Sequence, residues 1–329
     1  MEKVGVGVIS FEHFHAMSYA AAFNSIRECK LVGVADPDPG RGREMASRYS
    51  TRYMSVEDLL ADGSISAVCI GSANARHRED VGLAAEAGKN IMVEKPIATS
   101  VEDARWMIEK CRKEGVFLQV AFVMRYSPIA MEAKKAIEGG SAGEIQAISG
   151  TNHGSMPGGW FVDRELSGGG AILDHTVHVA DLMNWYLGSR ARSVFALGGN
   201  RLHEGLGIDD SGFVLVDYGS AVGSIDPSWS RPEGHPIWGD VRMRIFGSEA
   251  TIEFDGFSQN IGITKGGDGY RLIGYGSDLD LYTCRDLVES TLNGSRPRST
   301  GEDGLAALEI ALGAYRSIES GEPVSLPLD

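Results

Sequence analysis

The chain has 329 residues, 43 % of them apolar, and carries a formal net charge of −14. That length suits two globular domains with sizeable cores, and the acidic balance works against nucleic acid or an anionic membrane as partner. No apolar run approaches the roughly 18 residues of a membrane span, and Cys29, Cys69, Cys111 and Cys284 are scattered without a C-x-x-C pair, which excludes a disulfide framework or a zinc ribbon.

The start, "MEKVGVGVI", lacks the basic segment and cleavage site of a signal peptide, so a cytoplasmic protein with reduced thiols is expected. Up to residue 122, short Val- and Ile-rich runs at 3–9, 30–36, 66–72, 90–96 and 116–122 alternate with helical stretches at 77–88 and 100–115. Gly88 and Gly115 close those helices, and Ser100 with Asp103 forms a weak capping box. The alternation predicts a doubly wound parallel sheet over 1–122.

From 123 to 329 the texture changes. Alternating segments at 213–230, 241–255 and 260–266, broken by Gly-Ser and Asp-Gly turns, predict a large open, mostly antiparallel sheet flanked by helices at 172–188 and 304–321. With no linker or repeat between them, the two domains are expected to join directly and share a cleft.

The first turn poses the main question. Gly5-x-Gly7-x-x-Ser10 nearly matches the dinucleotide fingerprint, but that fingerprint follows a strand, and Gly5 and Gly7 alternate with Val4, Val6 and Val8 inside one. They are expected to allow close packing. The turn itself is then "SFEHFHA", with Ser10 and Glu12 in the places of the first two glycines and Phe14 or His15 near the third. At about 5 Å and an effective dielectric near 20, Glu12 against a phosphate charge costs roughly 3 kcal/mol. Glu12 is therefore expected to point away, with Ser10, His13 or His15 and the helix N–H groups facing the pyrophosphate. Asp36, about 20 residues on, is placed to accept from the adenosine ribose hydroxyls, which favours NAD over NADP. Arg41 and Arg43 leave NADP open, and an Asp that merely starts a turn before Pro37 is the plainer alternative.

From "VEKPIATS" and "GGGAILDHTVHVADL" the accumulated pattern resembles the Gfo/Idh/MocA dehydrogenases. The resemblance runs through Asp36, "SANARH" after the third strand, Glu94-Lys95-Pro96 after the fourth, "MRYSP" after the fifth, and Gly168-Gly169-Gly170 leading to Asp174, His178 and Asp181. It implies a Rossmann domain followed by an α/β domain whose open sheet forms a homodimer or homotetramer. It also implies that Ser10, Phe11, His13, His15, Asp36, Ser72, Asn74, His77, Glu94 and Lys95 hold the cofactor. The departures are the glycine-free turn and Phe161 after Trp160, where many relatives carry Arg.

Lys95 ends an apolar strand, the edge at which open parallel sheets bind ligands, and serves as a candidate acid/base. Pairing with Glu94 at the surface is its bland alternative. Asp174 and His178, at i and i+4, share a helix face with Asp181. By the resemblance Asp174 orients the substrate hydroxyl or holds the ammonium, and Lys95 or His178 takes the proton. Asp174, His178 and Lys95 are thus the catalytic candidates, expected to converge from the two domains. Arg125, His153 and Trp160 join Asp174 and His178 as substrate-side candidates, although Trp160 also suits core packing and 228–240 either a substrate loop or a long turn. No metal is expected, since His153, Asp174, His175 and His178 offer only the less favourable H-x-x-H spacing.

These observations point to an NAD(P)-dependent oxidoreductase acting on a hydroxyl or keto group of a sugar or polyol. A dinucleotide-sensing protein without catalysis is the second reading, and a metal-dependent lyase or hydrolase the third.

Overall fold

Five apolar runs and the short strand Arg52–Tyr53 pair in parallel to form the first sheet of the computed structural model, which describes residues 3–265, 269–274 and 276–329. In chain order the elements are β1 (Val4–Ile9), α1 (His15–Ser25), β2 (Cys29–Ala35), α2 (Pro39–Arg48), β3 (Arg52–Tyr53), α3 (Val56–Ala61), β4 (Ala67–Ile70), α4 (His77–Glu86), β5 (Asn90–Val93), α5 (Val101–Glu114) and β6 (Leu118–Val120). The order is β3-β2-β1-β4-β5-β6, with every pairing parallel. All six residues of β1 and all four of β4 are buried, as expected for strands covered on both faces.

Glycine acts inside β1 as a packing device. A Cβ on Gly5 would lie 1.8 Å from the Ser64 carbonyl oxygen, and one on Gly7 would lie 2.6 Å from Leu59 of α3. At α5 the Ser100 hydroxyl accepts the Asp103 N–H at 3.0 Å, and Gly115 ends the helix with φ +73°.

The later elements are α6 (Pro128–Glu138), β7 (Ile145–Ser155), α7 (Arg164–Ser167), α8 (Ala171–Leu187), β8 (Ser193–Gly199), β9 (Ser211–Asp217), β10 (Val222–Arg231), β11 (Arg242–Gly247), β12 (Thr251–Asp255), β13 (Asn260–Lys265), β14 (Gly269–Gly274), α9 (Leu279–Asn293), α10 (Gly301–Ser320) and β15 (Val324–Ser325). Gly266, the end of the expected 260–266 segment, lies outside the described residues.

The second sheet runs β12-β11-β7-β10-β9-β8-β15. Its pairings are antiparallel except β7 with β10, which are parallel. Helix α8 packs on β7, β9 and β10. β9 alternates buried and outward residues, so Phe213 and Leu215 stand outward with Leu197 and Val222, each more than half exposed.

Two compact units result. One comprises Met1–Val123 with Leu279–Leu305, the other Met124–Asp278 with Ala306–Asp329. The sequence reading carried the second domain unbroken from 123 to 329, whereas α9 returns to the first unit and packs on α1. Leu287 and Val288 of α9 join Val6, Val8, Tyr19, Phe23 and Met92 in that unit's core. The burial of Leu287 and Val288 explains the return. Among the described residues no helix is long and apolar enough to cross a membrane.

Candidate active site

Ser10 follows β1 with φ +67°, the left-handed conformation that a glycine would adopt there without strain. Its hydroxyl accepts the Glu12 N–H at 3.2 Å. The close approach of main chains has moved to the next strand. A Cβ on Gly71, after β4, would lie 2.9 Å from the Ser10 carbonyl oxygen and 2.7 Å from Ala16. Glu12 is tied sideways: its carboxylate accepts the Ala73 N–H at 3.0 Å and Arg76 at 2.8 Å. That pairing offsets the charge that the turn would otherwise present to an anion.

Asp36 is buried at the end of β2, and both oxygens are already engaged. One accepts Phe11 N–H at 2.7 Å and Arg41 Nε at 2.9 Å, the other Asp38 N–H and Arg41 Nη2, each at 2.8 Å. A dinucleotide fits this edge through the left-handed Ser10, the start of α1 and the buried carboxylate. Ribose hydroxyls would reach Asp36 by exchange with Arg41. The plain turn-starting role, accepting Asp38 N–H, is also filled by Asp36.

Past β4 and β5 the candidates brace one another. Ser72 donates to Asp80 at 2.6 Å, and burial raises the Asp80 carboxyl to about 6. His77 is fully buried, with Nδ1 at 3.1 Å from the Pro96 carbonyl and Nε2 at 3.1 Å from that of Ser72. Burial pushes its pKa down. Asn74 opens a short 3₁₀ turn, Asn74–Arg76, and is buried. Ser72 and His77 thus brace the loops around them.

Glu94 and Lys95 are 1 % and 4 % exposed, so Lys95 is a buried lysine and not a surface one. Glu94 accepts the Lys95 N–H at 2.9 Å, Tyr19 Oη at 2.5 Å and lies 3.2 Å from His15 Nδ1. Burial alone would raise its pKa, but the charges of His13, His15 and Lys95 and the His15 hydrogen bond hold it well below the usual range.

In the second unit, the three glycines before α8 serve a capping carboxylate that sequence reasoning missed. Asp209 accepts Gly170 N–H at 3.0 Å, Ile172 N–H at 2.8 Å and Tyr315 Oη at 2.8 Å. A Cβ on Gly170 would sit 1.9 Å from the Asp209 carbonyl oxygen, and one on Gly169 2.3 Å from Tyr315 Oη. The only sequence signal for this arrangement is the triplet itself.

Asp174 and His178 are each 9 % exposed on α8. Asp174 accepts Trp229 Nε1 at 3.1 Å, and the imidazole at its side is His175, with Nε2 at 3.3 Å. His175 Nδ1 meets the Asn152 carbonyl at 2.9 Å. When Nδ1 donates there, the Nε2 contact to Asp174 is favourable only with a proton between them. Asp181 is committed elsewhere, to a buried bidentate pair with Arg125 at 2.7 and 2.8 Å. Arg125, expected on the substrate side, is thus locked to α8.

His153 sits between Asp226 and Asp240 at 3.1 Å each, and their hydrogen bonds raise it to about 9. An imidazolium in that clamp is no metal ligand at neutral pH. Trp160 is half-buried and stacks on buried Phe161 with ring centres 3.9 Å apart. The Trp229 indole at Asp174 belongs to the segment 228–240, so the start of that segment is part of the site's framework.

The strand order and the lettering of these loops meet two protein-family models. The model described as the oxidoreductase family with an NAD-binding Rossmann fold matches residues 4–122, and the Gfo/Idh/MocA C-terminal domain matches 130–253. The chain belongs to the Gfo/Idh/MocA family. Its first unit is the family's NAD-binding Rossmann fold. Among curated proteins it is 29 % identical to scyllo-inositol 2-dehydrogenase (NAD(+)) of Bacillus subtilis, over 98 % of this chain and 95 % of that one. It is 27 % identical to myo-inositol 2-dehydrogenase of Thermotoga maritima, over 98 % of each. Among solved structures, GenD2 from gentamicin A biosynthesis in complex with NAD superposes with a TM-score of 0.90 at 24 % identity, covering 100 % of this chain and 97 % of that one, a likeness of fold.

Proposed function

We propose that this Gfo/Idh/MocA oxidoreductase interconverts a secondary hydroxyl and a ketone on a sugar or polyol. NAD, when bound, supplies the hydride partner. The observation that carries the reading is Lys95, buried beside an ionised Glu94 at the carboxyl end of β5, a position suited to a proton-transferring ammonium. The inositol dehydrogenases among the relatives support the substrate class.

In this reading Lys95 takes or returns the hydroxyl proton. Asp174 and His178 hold the substrate hydroxyls, and His175, with Nε2 at 3.3 Å from the Asp174 carboxylate, positions Asp174. His153, held as a cation with both ring nitrogens on Asp226 and Asp240, offers a substrate oxygen its charge and not a free N–H. Trp160 supplies an apolar wall. The outward Leu197, Phe213, Leu215 and Val222 support a homodimer or homotetramer formed through the second sheet.

The test is a turnover screen of inositols and sugars at saturating NAD, followed by variants. Lys95→Ala is expected to lower kcat by about 10² or more with NADH affinity nearly intact. His178→Ala is expected to raise KM as well as lower kcat. Absence of any turnover across the screen, with NADH still bound, would replace this reading by the dinucleotide-sensing one.

A further inference from the structure

The turn that lacks glycines carries two imidazoles instead, and they face a buried carboxylate. The ligating atoms of His13, His15 and Glu94 all lie within 4.8 Å of one another. Glu94 Oε1 is 3.2 Å from His15 Nδ1 and 3.8 Å from His13 Nδ1. Two donors on one tetrahedral zinc, each at about 2.05 Å, stand roughly 3.3 Å apart, so a small side-chain adjustment brings this set to bonding distance. His13 Nδ1 accepts the His15 N–H at 3.2 Å, a long local bond that a metal ion on the same lone pair would displace. Side-chain exposures are 1 % for His13, 0 % for Glu94 and 20 % for His15. Tyr19 Oη donates to the same Glu94 oxygen, an outer hydrogen bond of the kind that fixes a ligating carboxylate.

We propose that His13, His15 and Glu94 form a binding site for one divalent transition-metal ion at the carboxyl ends of β1 and β5. Two imidazoles and one carboxylate suit the Zn²⁺ and Fe²⁺ class over Mg²⁺ or Ca²⁺. Three protein donors leave at least one coordination position, on the side of the exposed His15 edge, for water or an anionic oxygen.

Tag-free full-length protein, stripped with chelator, would be titrated with Zn²⁺, and with Co²⁺ for its visible absorption. One equivalent per chain is expected, with an intense Co²⁺ band of low coordination number. His13→Ala and His15→Ala are each expected to weaken binding by at least tenfold, since losing even an outer partner of a ligand costs about 10–100-fold. His203→Ala, on a turn of the second unit where His203 pairs with Asp210, should leave the stoichiometry at one. No binding in the unmutated chain overturns the proposal, as does unchanged binding in both turn variants. Should those variants fail to fold, imidazole ¹⁵N spectra of the unmutated chain decide. Zn²⁺ must shift two histidines that are neither His153 nor His178, and a different pair or none overturns the site.

Discussion

The starts of α1 and α8 are the two places where this chain draws attention to glycine, and they use it in opposite ways. Before α8 stand three glycines, and their room is filled from within. Asp209 and Tyr315 reach in from distant segments and satisfy the N–H groups of Gly170, Ile172 and Leu173. Before α1 stands no glycine. There the first donors are met by their own neighbours, His15 N–H by His13 Nδ1 at 3.2 Å and Ala16 N–H by the His13 carbonyl at 3.1 Å. Long local bonds of this kind exchange readily for an anion, whereas a buried carboxylate cap does not. A glycine therefore marks where two parts of the protein touch, and an anion site is recognised by what the helix start leaves exchangeable.

Gly170→Ala tests the tighter of the two with the largest effect. Its Cβ would lie 1.9 Å from a backbone oxygen, so main chain must move and the Asp209 cap must open. A loss of about 3 kcal/mol or more is expected, read as a fall in melting temperature of roughly 6–12 °C for a domain of this size. A fall under 2 °C would show that the cap is slack and the contrast with α1 is unfounded.

The difference in legibility between the two units follows the same physics. Period and composition read the parallel sheet from 1 to 122 and the mostly antiparallel one after it, because apolar alternation and Gly turns report local geometry directly. Gly5 and Gly7 were readable as strand residues for that reason. The return of Leu279–Leu305 to the first unit was not readable, since an amphipathic helix does not say which sheet it covers. At the site, the positions of Asp36, Lys95, Asp174 and His178 follow from motif spacing. Their partners do not. Arg41 on Asp36, Asp181 on Arg125 and His175 beside Asp174 are set by side-chain geometry. The separations of 13, 15 and 94 along the chain likewise conceal the His13–His15–Glu94 cluster.

Arg41→Ala sharpens the comparison at the other end of the turn. Arg41 fills one lone-pair site on each Asp36 oxygen, and it is also the cation nearest to where a 2′-phosphate would meet that carboxylate. Removing it frees Asp36 for ribose hydroxyls and leaves a 2′-phosphate facing an unmasked charge. The NADH-over-NADPH affinity ratio is expected to rise about tenfold, the equivalent of one charged hydrogen bond. Fluorescence titration with both nucleotides reads it. An unchanged ratio would mean that the Arg41–Asp36 pair stays closed when cofactor binds.

Ser10→Gly carries the smallest expected effect, and the reason lies in cancelling terms. Relief of the left-handed φ of +67° stabilises by about 1 kcal/mol. Added freedom of the unfolded chain takes back roughly 0.5–1 kcal/mol, and loss of the hydroxyl that accepts Glu12 N–H removes about another 0.5 kcal/mol. The sum is near zero, so the melting temperature should move by less than about 2 °C. A large fall would assign the turn's shape to the Ser10 hydroxyl and not to its backbone. In that case the serine would be doing for α1 what Asp209 does for α8, and the two helix starts would be closer in kind than their glycines suggest.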